Sequence, residues 1–330
     1  MIFMKQQLTT IFQKLKLEGS HSTNGFRVSG IPSLTNHKIG VTNNGMPIFF
    51  VRSSISSSVP NISLDMMSVQ FCQLCKLIHD NGESIESTYT VITLKPTAEE
   101  MTDYFLEILH LVLLKIGDTP SQKILIDEIE KVVELFRQLG QSSSKTVQGL
   151  WAELFMISKS KNPAYLINSW HITPTDTFDF NDGKNKIEVK STSKSKRIHH
   201  FSIEQLLPNK ESKLLICSLF TIPTGTGVNI FDIAKIIEER LSSIDDKLRL
   251  NAMLMRTLGD KYATAGEIYF DYQKAVDSMS FFTHSSIPSI SASYVPPAVS
   301  HVRFDSDLSD LEPLSMDDPM ITSCQLFISL

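Results

Sequence analysis

Thr177-Phe-Asp-Phe-Asn-Asp-Gly-Lys-Asn-Lys-Ile-Glu-Val-Lys190 reads as two short strands around a turn. On the second strand Ile187 and Val189 alternate with Glu188 and Lys190, so the apolar pair points to a core and the charged pair to the other face. The first strand repeats the pattern, with Asp179 set between Phe178 and Phe180. Asp182-Gly183-Lys184 supplies the turn. A two-residue loop of Gly183-Lys184 sets Asp179 directly opposite Glu188. A loop of Asp182-Gly183 pairs Asp179 with Lys186 instead and makes Glu188 its diagonal neighbour. Either register places Asp179, Glu188 and Lys190 on one face, with directly paired Cβ atoms roughly 5 Å apart. Two carboxylates so close repel, and they are tolerated where they share a cation or a proton. The plain alternative is a solvated strand face, for which Glu-x-Lys is an ordinary sequence.

The flanking segments add to this picture. Upstream, Gly149-Leu-Trp-Ala-Glu153 lies in a helical stretch, Lys145 to Ser158, where Gly149 and Glu153 share a face and small neighbours leave the acid room to face a site. Downstream, Lys194, Lys196 and Arg197 follow the Glu-x-Lys strand. From Lys184 to His200 there are six Lys or Arg and a single acid, Glu188, which predicts a phosphate-binding rim. A short helix starts near Ser202 and carries Gln205, suited to bonding a base, a phosphate or water. A hard divalent ion such as Mg²⁺ (or Mn²⁺) takes a few carboxylate oxygens and leaves room for water and phosphate oxygens. A lysine beside it orients the attacking water and offsets developing phosphate charge.

In this order (helix acid, strand acid, Glu-x-Lys strand, helix, buried strand) the chain resembles the PD-(D/E)XK restriction-endonuclease-like nucleases. GLWAEL, the FDF…IEVKSTSK hairpin and RIHHFSIEQL resemble, more narrowly, a bacterial PD-(D/E)XK motif family associated with phage-defence and restriction-modification gene neighbourhoods. The resemblance covers about residues 145 to 222 and departs from the motif in having Phe178 where proline precedes the strand acid. It implies that Glu153, Asp179, Glu188 and Lys190 are metal-site and catalytic positions, with Arg197, His199 and Gln205 as neighbours that touch DNA. The expected protein is a cytoplasmic, Mg²⁺-dependent DNA endonuclease; the rival is an inactive DNA-binding or scaffold subunit on the same fold. Expected partners are DNA, an ATPase and a DNA methyltransferase from the same operon, and a second copy of the chain.

Composition sets the outer bounds. The chain has 330 residues, 42% hydrophobic and 20% charged, with 31 Lys plus Arg against 36 Asp plus Glu. A net charge of -5 excludes a wholesale polyanion binder, so nucleic-acid contact has to come from a local basic patch. The first 16 residues lack the apolar centre of a signal peptide, no apolar run is long enough to span a bilayer, and four cysteines give no disulfide framework. Cys72-Gln-Leu-Cys75 has zinc-like spacing, but no second Cys/His pair complements it, and in a strand positions three apart point to opposite faces. Gly225-Thr-Gly227 lacks the lysine of a phosphate loop.

The predicted organisation is α/β in three parts. An N-terminal β-rich module over 1–96 begins with a short helix at 5–15 and continues as antiparallel strands over 17–95, with hairpins around Asn43-Asn44-Gly45 and Asp80-Asn81-Gly82. Residues 97–224 hold a helical lead-in, punctuated by Gly140 and Ser142 to Ser144, and a nuclease core of mixed sheet flanked by helices. The near-continuous apolar run Leu214 to Ile222 suits a strand buried on both faces. Residues 225–330 form a helical and irregular C-terminal region with an acidic end.

Overall fold

The computed structural model describes residues 2–18, 21–22, 25–52, 59–79, 82–139, 145–170, 176–208 and 211–330. Asp80 and Asn81 of the second hairpin signal, and the stop at Gly140 and Ser142 to Ser144, lie outside the described residues. The chain divides into two units, Met1–Gln141 and Ser142–Leu330, rather than at 96 and 224.

In the first unit α1 (Ile2–Glu18) precedes five longer strands, β1 (Gly25–Ile31), β2 (Leu34–Val41), β3 (Pro47–Arg52), β4 (Met67–His79) and β5 (Ser84–Leu94). The predicted hairpin around Asn43-Asn44-Gly45 forms, with Lys38 opposite Phe50 and Val41 opposite Pro47. The module is not purely antiparallel. β1 pairs antiparallel with β2 but parallel with β4 (Phe26 opposite Leu77), so the order β1-β2-β3-β5-β4 closes on itself. Val28, Ile48, Phe50, Cys75, Leu77, Tyr89 and Val91 fill its interior. Gly40 is required there, since a Cβ at that position meets the Arg27 carbonyl at 2.9 Å and the Ile48 and Phe50 side chains at 3.3 Å. Residues of the other parity face the helices α2 (Thr102–Ile116) and α3 (Gln122–Gln138): Phe49 meets Phe105 at 5.8 Å and Phe105 meets Phe136 at 5.7 Å between ring centroids. These contacts tie the two helices to the β module and explain why the boundary falls after them. Cys72 sits in a bulge of β4 at φ +55°, so strand alternation does not run through it, and both Cys72 and Cys75 are free.

The second unit is built around β9 (Leu214–Phe220). It pairs parallel with β7 (Lys186–Thr192) and antiparallel with β10 (Ser280–Thr283), and β6 (Phe180–Asn181) adds to the far side of β7. As the apolar run predicts, β9 is covered on both faces. Leu215, Cys217 and Leu219 join the core under α4 (Val147–Lys159), α5 (Pro163–Ser169), α6 (Ile230–Arg240) and α7 (Ile244–Leu258). Leu214 and Ile216 join Phe201, Leu206 and Phe282 on the other side. There β8 (Ile198–Ser202) pairs antiparallel with β11 (Arg303–Asp307) as a two-stranded ribbon. The region after 225 thus supplies α6, α7, β10 and further short helices to the same core as α4. Asn229 starts α6 with a reciprocal cap, its side chain accepting from Asp232 N–H while Asp232 accepts from Asn229 N–H. Among the described residues no helix is long and apolar enough to cross a membrane.

Candidate active site

The hairpin adopts the register with Gly183-Lys184 as its loop. Phe180 faces Ile187 and Asn181 faces Lys186, which sets Asp179, one residue before β6, opposite Glu188. Gly183 takes φ +93°, a conformation that favours glycine, and Asp182 Oδ1 accepts the N–H groups of Lys184 and Asn185 at 3.0 and 2.7 Å. Asp179 is locked in place: its Oδ2 accepts from Val189 N–H at 2.8 Å.

Thr146 caps α4 by accepting from Gly149 N–H at 3.1 Å, and the helix then turns Glu153 inward to 3% exposure. Trp170 Nε1 donates to Glu153 Oε2 at 2.7 Å, while Oε1 meets Lys145. Lys145 stands between the two acids. Its Nζ lies 2.5 Å from Glu153 Oε1 and 2.5 Å from Asp179 Oδ1. Lys145 marked only the approximate start of the helix in the sequence; nothing local signals its role, because its partners lie 8 and 34 residues away.

On β7, Lys190 Nζ lies 2.9 Å from Glu188 Oε1 and donates to Gln205 Oε1 at 3.0 Å, while Gln205 Nε2 donates back to Glu188. The Lys190 ammonium also lies 5.0 Å from the centre of the Phe201 ring. The structure therefore brings together Glu153, Asp179, Glu188, Lys190 and Gln205, and adds Lys145. Among the described residues no three His, Cys, Asp or Glu side chains are placed to hold one ion together. The three-carboxylate metal set expected from the sequence is instead split: Glu153 and Asp179 converge on Lys145, and Glu188 turns to Lys190 and Gln205.

The electrostatics follow from burial and from that pairing. Burial, and then the Asp179 charge, push Glu153 and Glu188 above the usual carboxylate range. Burial alone raises Asp179 too, but the Lys145 ammonium, aided by Val189 N–H, holds it below its ordinary value. Burial disfavours the charge on Lys145, yet its two carboxylate partners outweigh that and keep it protonated.

The basic rim is only partly as the sequence suggested. Lys194 is exposed, and Lys196 is exposed with a loose pairing to Asp307 at 3.9 Å. Arg197 faces inward. Its Nη1 donates to Ser218 O and Oγ at 2.8 and 2.7 Å, its Nη2 donates to Ser278 O at 2.7 Å, and the guanidinium lies 4.9 Å from the Phe220 ring centre. His199 is 3% exposed, with Nε2 2.6 Å from Ser218 Oγ. Neither residue is placed to touch DNA; both brace β8 against β9. Strand alternation sends the neighbouring His200 outward to Asp305 at 2.9 Å.

Arg197 always donates, so the Ser218 hydroxyl oxygen accepts from it while also contacting His199 Nε2. Burial, then the Arg197 and Lys190 charges, lower His199 from 6.5 to about 3. Between those values the unfolded chain binds a proton that the folded chain does not. This group therefore removes stability as pH falls below 6.5, at up to about 1.4 kcal/mol per pH unit. His199→Gln should be less stable than wild type at pH 7, with the gap narrowing in urea titrations taken towards pH 4.5; a gap independent of pH contradicts this account.

A family model described as "Putative PD-(D/E)XK family member, (DUF4420)" matches residues 8–309. No curated protein and no solved structure matches the chain.

Proposed function

The chain belongs to the PD-(D/E)XK family, and on that premise we propose that it is a Mg²⁺-dependent endonuclease that hydrolyses DNA phosphodiester bonds in a restriction or phage-defence system. The observation that carries the reading is the set of buried acids around the Glu-x-Lys strand, with Lys190 held beside Glu188 by Gln205. A nuclease-type fold alone does not imply activity; these side chains do the chemistry.

The donor set suits a hard divalent ion. Glu153 Oε1 and Asp179 Oδ1 already converge on one cationic centre, the Lys145 ammonium, and both are carboxylate oxygens. Asp179 and Glu188, assisted by Glu153, would hold Mg²⁺ or Mn²⁺. When bound, the ion supplies Lewis-acid charge at the scissile phosphodiester. Lys190 brings a positive Nζ to the same face, where it orients the attacking water and offsets charge gathering on the phosphate oxygens. Gln205 fixes that ammonium from one side and Glu188 fixes it from the other. Lys194 and Lys196 supply backbone contacts. An ATPase and a methyltransferase from the same operon, or a second copy of the chain, would complete the working assembly.

The test has two parts. Supercoiled plasmid incubated with the protein, alone and with its operon neighbours, should be cut in Mg²⁺ or Mn²⁺ and left intact in chelator. The same ions should raise the melting temperature through mass action, and Asp179→Asn with Glu188→Gln should abolish that rise. A thermal shift that survives the double substitution places the ion elsewhere. Absence of cleavage under every condition, with DNA binding retained, makes the chain a binding subunit instead.

A further inference from the structure

Resting on the reading of these acids as an ion site, we propose that Lys145 is a built-in placeholder for the divalent ion, occupying the cation position between Glu153 and Asp179 and leaving it when the ion binds. An ammonium 2.5 Å from one oxygen of each acid stands where an ion bound to both oxygens has to stand. Lysine and metal therefore exclude each other. Trp170 fixes Glu153 and Val189 N–H fixes Asp179, so the two oxygens stay aimed at one point whichever cation holds it.

Position and charge agree with an exchange. The Lys145 side chain is 27% exposed against 3% and 11% for its two partners, so it can swing outward while the acids stay put. It lies two residues before α4, outside the helix, where moving it costs no helical hydrogen bond. A divalent ion brings one more positive charge than the Lys145 ammonium it replaces, set against the same two carboxylate oxygens. Until then the lysine spares two buried carboxylates their mutual repulsion, and it lowers apparent metal affinity by the fraction of molecules in which it sits between them.

The test reads metal binding, not cleavage. Titration calorimetry with Mg²⁺ should give a dissociation constant about tenfold or more lower for Lys145→Met than for wild type, because the competitor is gone. Should Lys145→Met fold poorly, Lys145→Gln serves the same comparison. A second measurement needs no variant: amine acetylation of wild type, read by peptide mass spectrometry, should label Lys145 several-fold faster at saturating Mg²⁺ than in chelator. Equal or weaker Mg²⁺ binding by the variants, or unchanged labelling, overturns the placeholder and leaves the ion site standing. Failure of every form of the protein to bind Mg²⁺ overturns both.

Discussion

Lys190→Ala is expected to slow DNA cleavage by about 10²–10³-fold, the loss usual for removing one preorganised charge from a reacting oxygen. The structure gives reasons to expect that the fold survives. Lys190 lies on β7 with its backbone paired to Ser218 of β9, and the substitution leaves that ladder untouched. Glu188 keeps the Gln205 amide as a donor and is already inclined to hold a proton, so losing the ammonium does not strand a charge in the core. DNA affinity, which comes from many phosphates, should change little. The measurement is single-turnover cleavage of a defined duplex in Mg²⁺, paired with binding of the same duplex in Ca²⁺. Equal losses in rate and in affinity would make Lys190 a DNA-binding residue, and an unchanged rate would remove it from the reaction. Gln205→Ala provides the companion case. It removes one hydrogen-bond acceptor from Lys190 Nζ and leaves Glu188 and the Phe201 ring, so a smaller loss in rate, with binding intact, separates positioning from chemistry.

What the sequence reveals of this site is what alternation and turn chemistry encode. Phe178-Asp179-Phe180 and Ile187-Glu188-Val189-Lys190 announce two strands, but Gly183 belongs to both candidate loops, and only the pairing of Phe180 with Ile187 decides the register. Glu153 is legible because helical spacing puts it with Gly149 on one face. Lys145 is not, since its meeting with Glu153 and Asp179 depends on how α4 lies against the hairpin. Arg197 and His199 mislead for the opposite reason. A run of basic residues next to a strand resembles a solvated rim, and only the packing of β8 over β9 shows that two of them serve Ser218. The first unit behaves alike: its hairpins are readable from Asn-Gly turns, but the parallel pairing of β1 with β4 that closes the ring joins residues some 50 positions apart. Local patterns specify pairs of neighbouring strands, whereas closure and burial are decided by the whole core.

Arg197→Ala should therefore act on stability and not on the salt dependence of DNA binding. The substitution removes three charge-assisted hydrogen bonds and leaves the carbonyls of Ser218 and Ser278 without that donor. It also strips a cation from the Phe220 ring. Hydrogen bonds to charged groups contribute about 1.5–3 kcal/mol each, but they are not additive here, so a loss of about 2–4 kcal/mol in urea unfolding is expected. Arg197→Lys should not restore it, because a single ammonium cannot span Ser218 and Ser278 as the fork does. Lys194→Ala with Lys196→Ala should do the reverse. Both side chains are exposed, so stability should stay within about 0.5 kcal/mol. Each DNA phosphate that no longer meets a lysine should lower the slope of log affinity against log salt by about one, equally on unrelated duplexes. Titrations of the three proteins at several salt concentrations decide the matter. A flattened slope in Arg197→Ala at undiminished stability would return that guanidinium to the DNA interface, and parallel slopes in the double lysine variant would move the interface away from this strand.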